Sequence, residues 1–144
     1  MKRFNLMFVS LALAALTSCG GGQNNPTQSS APALSEKDQI AYNCLISFAN
    51  DTKAGWHDKT SARYVRAYVS FETAGLEGYG GSVYCVIRAT NALGAYLTQN
   101  FHITLNTDYS YKNYFGPEKD SSLYQDNNVD ISAVNAKIDQ YWGL

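Results

Sequence analysis

The apolar residues of this chain follow two periods, and the places where the period changes divide it into segments. Leu6 to Leu16 is an almost unbroken apolar run, too short to span a bilayer as a mature helix. Gly20 to Ala33 has no period and consists mostly of Gly, Gln, Asn, Pro and Ser, the composition of a flexible tether. Ile40, Ala41, Cys44, Leu45 and Phe48 then recur at helical spacing, which predicts an amphipathic helix ending near Asn50. Ser35 stands ahead of it as an N-cap, with Asp38 three positions on in a variant of the capping box.

From Ala62 the period is two. Val65, Ala67, Val69 and Phe71 alternate with Tyr64, Arg66, Tyr68, Ser70 and Glu72. After a Gly-rich stretch from Gly75 to Gly81, Val83, Cys85, Ile87 and Ala89 alternate with Tyr84, Val86, Arg88 and Thr90. Asn91 to Gly94 reads as a tight hairpin, with Gly94 supplying a positive φ. A third strand follows through Leu97, Gln99, Phe101, Ile103 and Leu105, opposite Tyr96, Thr98, Asn100, His102 and Thr104. Asp108 to Asn128 shows no clear period and is predicted as a long loop. Asp130 then caps a second helix whose stripe holds Ile131, Val134, Ile138 and Tyr141 or Trp142. The predicted fold is α+β in two layers: an N-terminal helix, a three-stranded antiparallel meander, a long loop and a C-terminal helix. Both helices are expected on the apolar face of the sheet, leaving a polar, tyrosine-rich face outside.

The start of the chain specifies an address. Lys2 and Arg3 precede the apolar run, which ends in Leu16-Thr17-Ser18-Cys19. This pattern resembles the lipobox of bacterial lipoproteins. The resemblance implies that residues 1–18 are a signal peptide and that Cys19 is lipidated. It further implies that residues 19–34 tether a single α+β domain, residues 35–144, to the cell envelope. Two or more acyl chains hold a protein stably where one does not. Gly20, rather than Asp, after the cysteine implies the periplasmic face of the outer membrane if the cell is Gram-negative. The helix-and-meander layout also loosely resembles small outer-membrane lipoproteins that assist barrel assembly, and cystatin-like folds. No shared motif assigns a role to any residue.

Composition adjusts this picture in two ways. The full chain has 11 basic and 12 acidic residues, and loss of Lys2 and Arg3 with the signal brings the net charge from −1 to −3. The remaining cations are scattered, which argues against nucleic acid as a partner. With Cys19 assigned to lipid, Cys44 and Cys85 remain, an even pair in an oxidising compartment. Each falls on an apolar stripe, so a disulfide is expected. The chain-entropy model puts its contribution at up to ~4 kcal/mol. The alternative is two buried thiols acting as small hydrophobes.

Motifs for chemistry are few. His57 and His102 have no second ligand at metal spacing. Gly80-Gly81-Ser82-Val83-Tyr84 begins like a nucleophile elbow but lacks its closing glycine. Glu72 with Glu77, and Trp56-His57-Asp58, read more simply as loop features. No cofactor is implied. The expectation is a non-enzymatic interaction module, anchored to the membrane by its N-terminal lipid and meeting an envelope protein or glycan. Its candidate binding residues are Tyr64, Arg66, Tyr68, Tyr84, Arg88 and Tyr96 on the outer sheet face, together with His102. Tyr109, Tyr111 and Tyr114 of the long loop join them, although with Phe115 and Tyr124 they could instead close the core. The competing expectation is a small-ligand carrier with a pocket lined by Ile40, Phe48, Phe101 and Tyr141.

Overall fold

The computed structural model describes residues 33–72, 74–119 and 122–144. The segments expected to be signal peptide and tether, with Cys19, lie outside these as far as residue 32. Helix α1 (Glu36–Asn50) begins at the capping box, where Ser35 Oγ accepts from Asp38 N–H and the Asp38 carboxylate accepts from Ser35 N–H. The carboxylate also reaches 92 residues along the chain. Its second oxygen accepts from Asp130 N–H at 2.7 Å, and Asp130 is the N-cap of helix α2 (Ile131–Trp142). One acidic side chain thus fastens the starts of both helices together. Gly143, at φ +73°, ends α2 in the left-handed region that glycine adopts freely.

The sheet has four strands rather than three: β1 (Asp58–Ser70), β2 (Gly81–Thr90), β3 (Tyr96–Leu105) and β4 (Tyr111–Glu118), antiparallel and in that order. The hairpin at Asn91–Gly94 forms as expected, with Gly94 at φ +79° and the Asn91 side chain accepting from Leu93 and Ala95 N–H. Strand β4 lies inside the segment read as a loop. It sits at a sheet edge, and an extra residue at Gly116–Pro117 interrupts its pairing between the Asn100 and His102 positions, so no clean alternation survives. Gly116 is at φ +132°, and a Cβ there would stand 2.8 Å from the Asn100 carbonyl oxygen, so a larger residue does not fit.

Both helices pack on one face of the sheet. Cys44, Leu45 and Phe48 of α1, with Val134 and Ile138 of α2, meet Val83, Cys85 and Ile87 of β2 and Phe101, Ile103 and Leu105 of β3. Tyr64, expected on the outer face, belongs to this core at 2 % exposure, while Val65 is 46 % exposed. The cause is a bulge: Tyr64 pairs with Ile87 and Arg66 with Val86, so Val65 is an extra residue and the strand changes parity across it. The Tyr64 hydroxyl donates to the Ala41 carbonyl at 3.0 Å, satisfying the one polar atom the ring brings inside.

Edge strand β1 is closed by asparagines. Asn128 Oδ1 accepts from Val69 N–H at 2.8 Å while its Nδ2 donates to the Val69 carbonyl at 2.9 Å. Asn135, on α2, grips the backbone of Tyr64 in the same two-handed way, and Asn127 Oδ1 accepts from Ala67 N–H. The chain reaches this edge by crossing the outer face of the sheet from β4, through a short 3-10 turn at Ser122–Tyr124.

Cys44 and Cys85 meet in the core as their stripes require, yet both are free, buried thiols in place of the expected disulfide. Each has another neighbour: the Tyr64 hydroxyl stands beside Cys44, and the Cys85 thiol donates to the Phe101 carbonyl. Burial pushes the Cys44 thiol up to about 12. In a Cys19→Ser variant, a maleimide should therefore leave the native protein unlabelled and modify two thiols on unfolding without reductant. Labelling only after reduction would reveal a bond.

Asp38 carries a second prediction. Burial pushes its carboxyl up, but the hydrogen bonds from Ser35 and Asp130 outweigh that and hold it below its ordinary 3.8. A depressed folded pKa stabilises above the unfolded value and loses that contribution as pH falls below 3.8. Asp38→Asn should cost about 1–3 kcal/mol in urea unfolding at neutral pH. Its deficit relative to wild type should shrink below pH 3.8. An unchanged deficit in acid would refute the assignment.

Candidate functional site: the outer face of the sheet

Strand register arranges the face opposite the helices into rows that run across all four strands. Ser70, Ser82, Thr104 and Asn113 form a row of short polar side chains. Next to it, Tyr68, Tyr84, His102 and Phe115 form an aromatic row. A third row holds Arg66, Val86, Asn100 and Glu118, and beyond it Arg88 pairs with Thr98. Alternation on each strand decides which side chains face outward, and pairing decides which become neighbours.

The aromatic row is in ring contact along most of its length. Tyr84 and His102 stack with centroids 4.5 Å apart and planes 13° from parallel, and His102 lies 5.6 Å from Phe115. His102 Nε2 is 3.0 Å from Ser82 Oγ, the geometry of a nucleophile beside a base. Ser82, however, is only 2 % exposed and a substrate has no path to it, so the bond serves to orient the imidazole against Tyr84. Tyr124, on the crossing segment, packs edge-on over Tyr84 at 6.1 Å and hydrogen-bonds the Glu118 carboxylate, pinning that segment to the sheet.

Between the crossing segment and the third row lies an open groove of about 630 Å3, lined by Arg66, Val86, Asn100, Glu118 and Gln125 among others. Arg66 spans it, donating to Gln125 Oε1 at 2.5 Å. At the far end of the face, Arg88 stacks over the exposed Tyr96 ring at 4.8 Å.

The structure separates the nine candidate binding residues into four groups. Arg66, Tyr68, Tyr84, Arg88 and Tyr96 share the outer face, as does His102. Tyr64 is in the core. Tyr111 and Tyr114 close the helix side: their rings pack 6.1 and 4.8 Å from Phe48, and their hydroxyls donate to Asp51 and to the Lys53 carbonyl. Tyr109 stands in the β3–β4 turn at φ +61°, edge-on to Phe71. Phe115, by contrast, is turned to the outer face and is 49 % exposed.

The residues expected to line a carrier pocket do not enclose one together. Phe48 and Phe101 are in ring contact at 5.1 Å within the core, whereas Tyr141 is exposed on α2. Near Trp56-His57-Asp58, the Asp58 carboxylate is engaged by Thr60 and the Trp56 indole donates to the Phe48 carbonyl. Among the described residues no three His, Cys, Asp or Glu side chains gather as a metal site, and no helix is long and apolar enough to cross a membrane. Glu118, Gln125 and Val86 were not singled out from sequence. Glu118 reaches the groove by pairing with Asn100 at the end of β4, and Gln125 through the course of the crossing segment, for which the sequence holds no local signal.

Burial pulls the His102 imidazole below its ordinary 6.5, against the opposing charge of Glu118. The unfolded chain then takes up this proton first, so the histidine withdraws stability as pH falls through 6.5. An NMR titration should place His102 below 6.5 and move it lower in Glu118→Gln; a midpoint at or above 6.5 would contradict the packing described. No protein-family model, no curated protein and no solved structure matches this chain.

Proposed function

We propose that this protein is a lipid-anchored module of the bacterial envelope that presents its outer sheet face to another envelope component and performs no covalent chemistry. The anchor rests on the likeness of Leu16-Thr17-Ser18-Cys19 to a lipobox. The observation that supports an interaction role is the asymmetry of the sheet. One face is filled by both helices, while the other carries Arg66, Tyr68, Arg88, Tyr96 and Phe115, residue types that give large contact areas with polar tips.

A Gly-rich tether between anchor and domain would let that face orient freely toward its partner, with a root-mean-square reach of roughly 20 Å. The scattered charge of the domain favours a contact set by shape and hydrogen bonding over one set by long-range attraction.

Two readouts in cells test the reading. Cys19→Ser should move the protein from the membrane fraction to the soluble fraction. Photo-crosslinkers at Arg66, Arg88 and Phe115 should capture one common component, while crosslinkers at Lys37 and Tyr141 on the helices should not. Equal capture from the helix positions would overturn the role given to the sheet face.

A further inference from the structure

We infer that the groove between the sheet and the crossing segment is a binding site for a neutral oligosaccharide; this rests on the reading of the outer face as the interaction surface. The lining supports this ligand class in three ways. Asn100 and Gln125 provide amides that both donate and accept, Arg66 provides a planar donor fork, and Glu118 provides an acceptor. Neighbouring sugar hydroxyls, each a donor and an acceptor, match such a mixture.

Charge in the groove is mixed as well. Glu118 opposes an anionic ligand, and Arg66 and Lys119 oppose a cationic one, which leaves an uncharged polar molecule as the best complement. The apolar lining consists of Val86 and Pro117 alone, little apolar surface for a protein partner's aromatic anchor. A sugar ring needs only an exposed aromatic face nearby. Phe115 supplies one: its row adjoins the row of Asn100 and Glu118, and half of its surface is free.

The site is also built in advance. Arg66 bonds Gln125 and Tyr124 bonds Glu118, so both walls are held before a ligand arrives. Its volume of about 630 Å3 lies within the range of small-ligand sites, roughly 300–1,000 Å3.

The test is an NMR titration of the labelled domain with three neutral tetrasaccharides, chitotetraose, cellotetraose and maltotetraose, each to about 10 mM. At least one should shift the resonances of Asn100, Glu118 and Gln125 saturably. Glu118→Gln and the exposed Gln125→Ala should each weaken that binding by about tenfold, in line with the loss of one or two hydrogen bonds, while resonances away from the groove keep the pattern of the folded protein. Absence of saturable shifts at these residues with all three sugars would overturn the inference. If the sheet-face crosslinkers nevertheless capture a protein, the interaction reading stands and the glycan assignment alone falls. If those crosslinkers capture nothing that the helix positions do not, both fall.

Discussion

The arrangement of the molecule depends on how the free edge of β1 is satisfied. An edge strand leaves backbone N–H and C=O groups without a partner strand, and water or another group must take them. Here asparagine side chains do so, because a carboxamide reproduces the donor and acceptor of a peptide bond. Asn128 pairs with both backbone groups of Val69 and Asn135 with both of Tyr64. These two residues come from different places, one at the end of the crossing segment and one on α2. The same edge therefore anchors the covering of both sheet faces: α2 is held over the core, and residues 122–125 are held over the aromatic row. The groove wall follows from that anchoring.

The bulge at Val65 belongs to the same device. By inserting one residue, it turns Tyr64 inward, where its ring fills space beside Cys44 and its hydroxyl reaches α1. It also exposes the Tyr64 backbone to Asn135. Beyond the bulge, Arg66 and Tyr68 fall outward in register with Val86 and Tyr84, which starts the third row and the aromatic row. A strand without the extra residue would continue one parity from Ala62 to Ser70, and one half of it would present the wrong side chains to the core.

What could be read from the sequence was what local chemistry decides. The Ser35 capping box, the Asp130 cap, the Asn91–Gly94 hairpin and both helix stripes depend on residues within four or five positions of one another, and each is found as expected. Tyr64 was misplaced because Val65, Ala67 and Val69 continue a period of two, and the bulge that breaks it is stabilised by Asn135, 71 residues away. Strand β4 was missed because an edge strand buries little, and Gly116 and Pro117 interrupt its pattern. At the outer face, five of the six residues expected on β1–β3, and His102 besides, were legible from alternation alone. The groove was not, since Glu118 enters it on β4, the strand without a clean pattern, and Gln125 only through the path the chain takes after β4.

The asparagine cover on β1 has a consequence for assembly. Sheets polymerise when one copy's last strand can dock on the next copy's first, a head-to-tail contact that repeats into an open filament unless its rotation closes a ring. In this protein the first strand's edge is already occupied by Asn127, Asn128 and Asn135, so β4 of one molecule has no complementary strand to extend. Any pairing through β4 would have to meet a second β4 and would end there. Wherever copies meet at high local concentration, a sheet blocked on one side is protected from growing into a fibre.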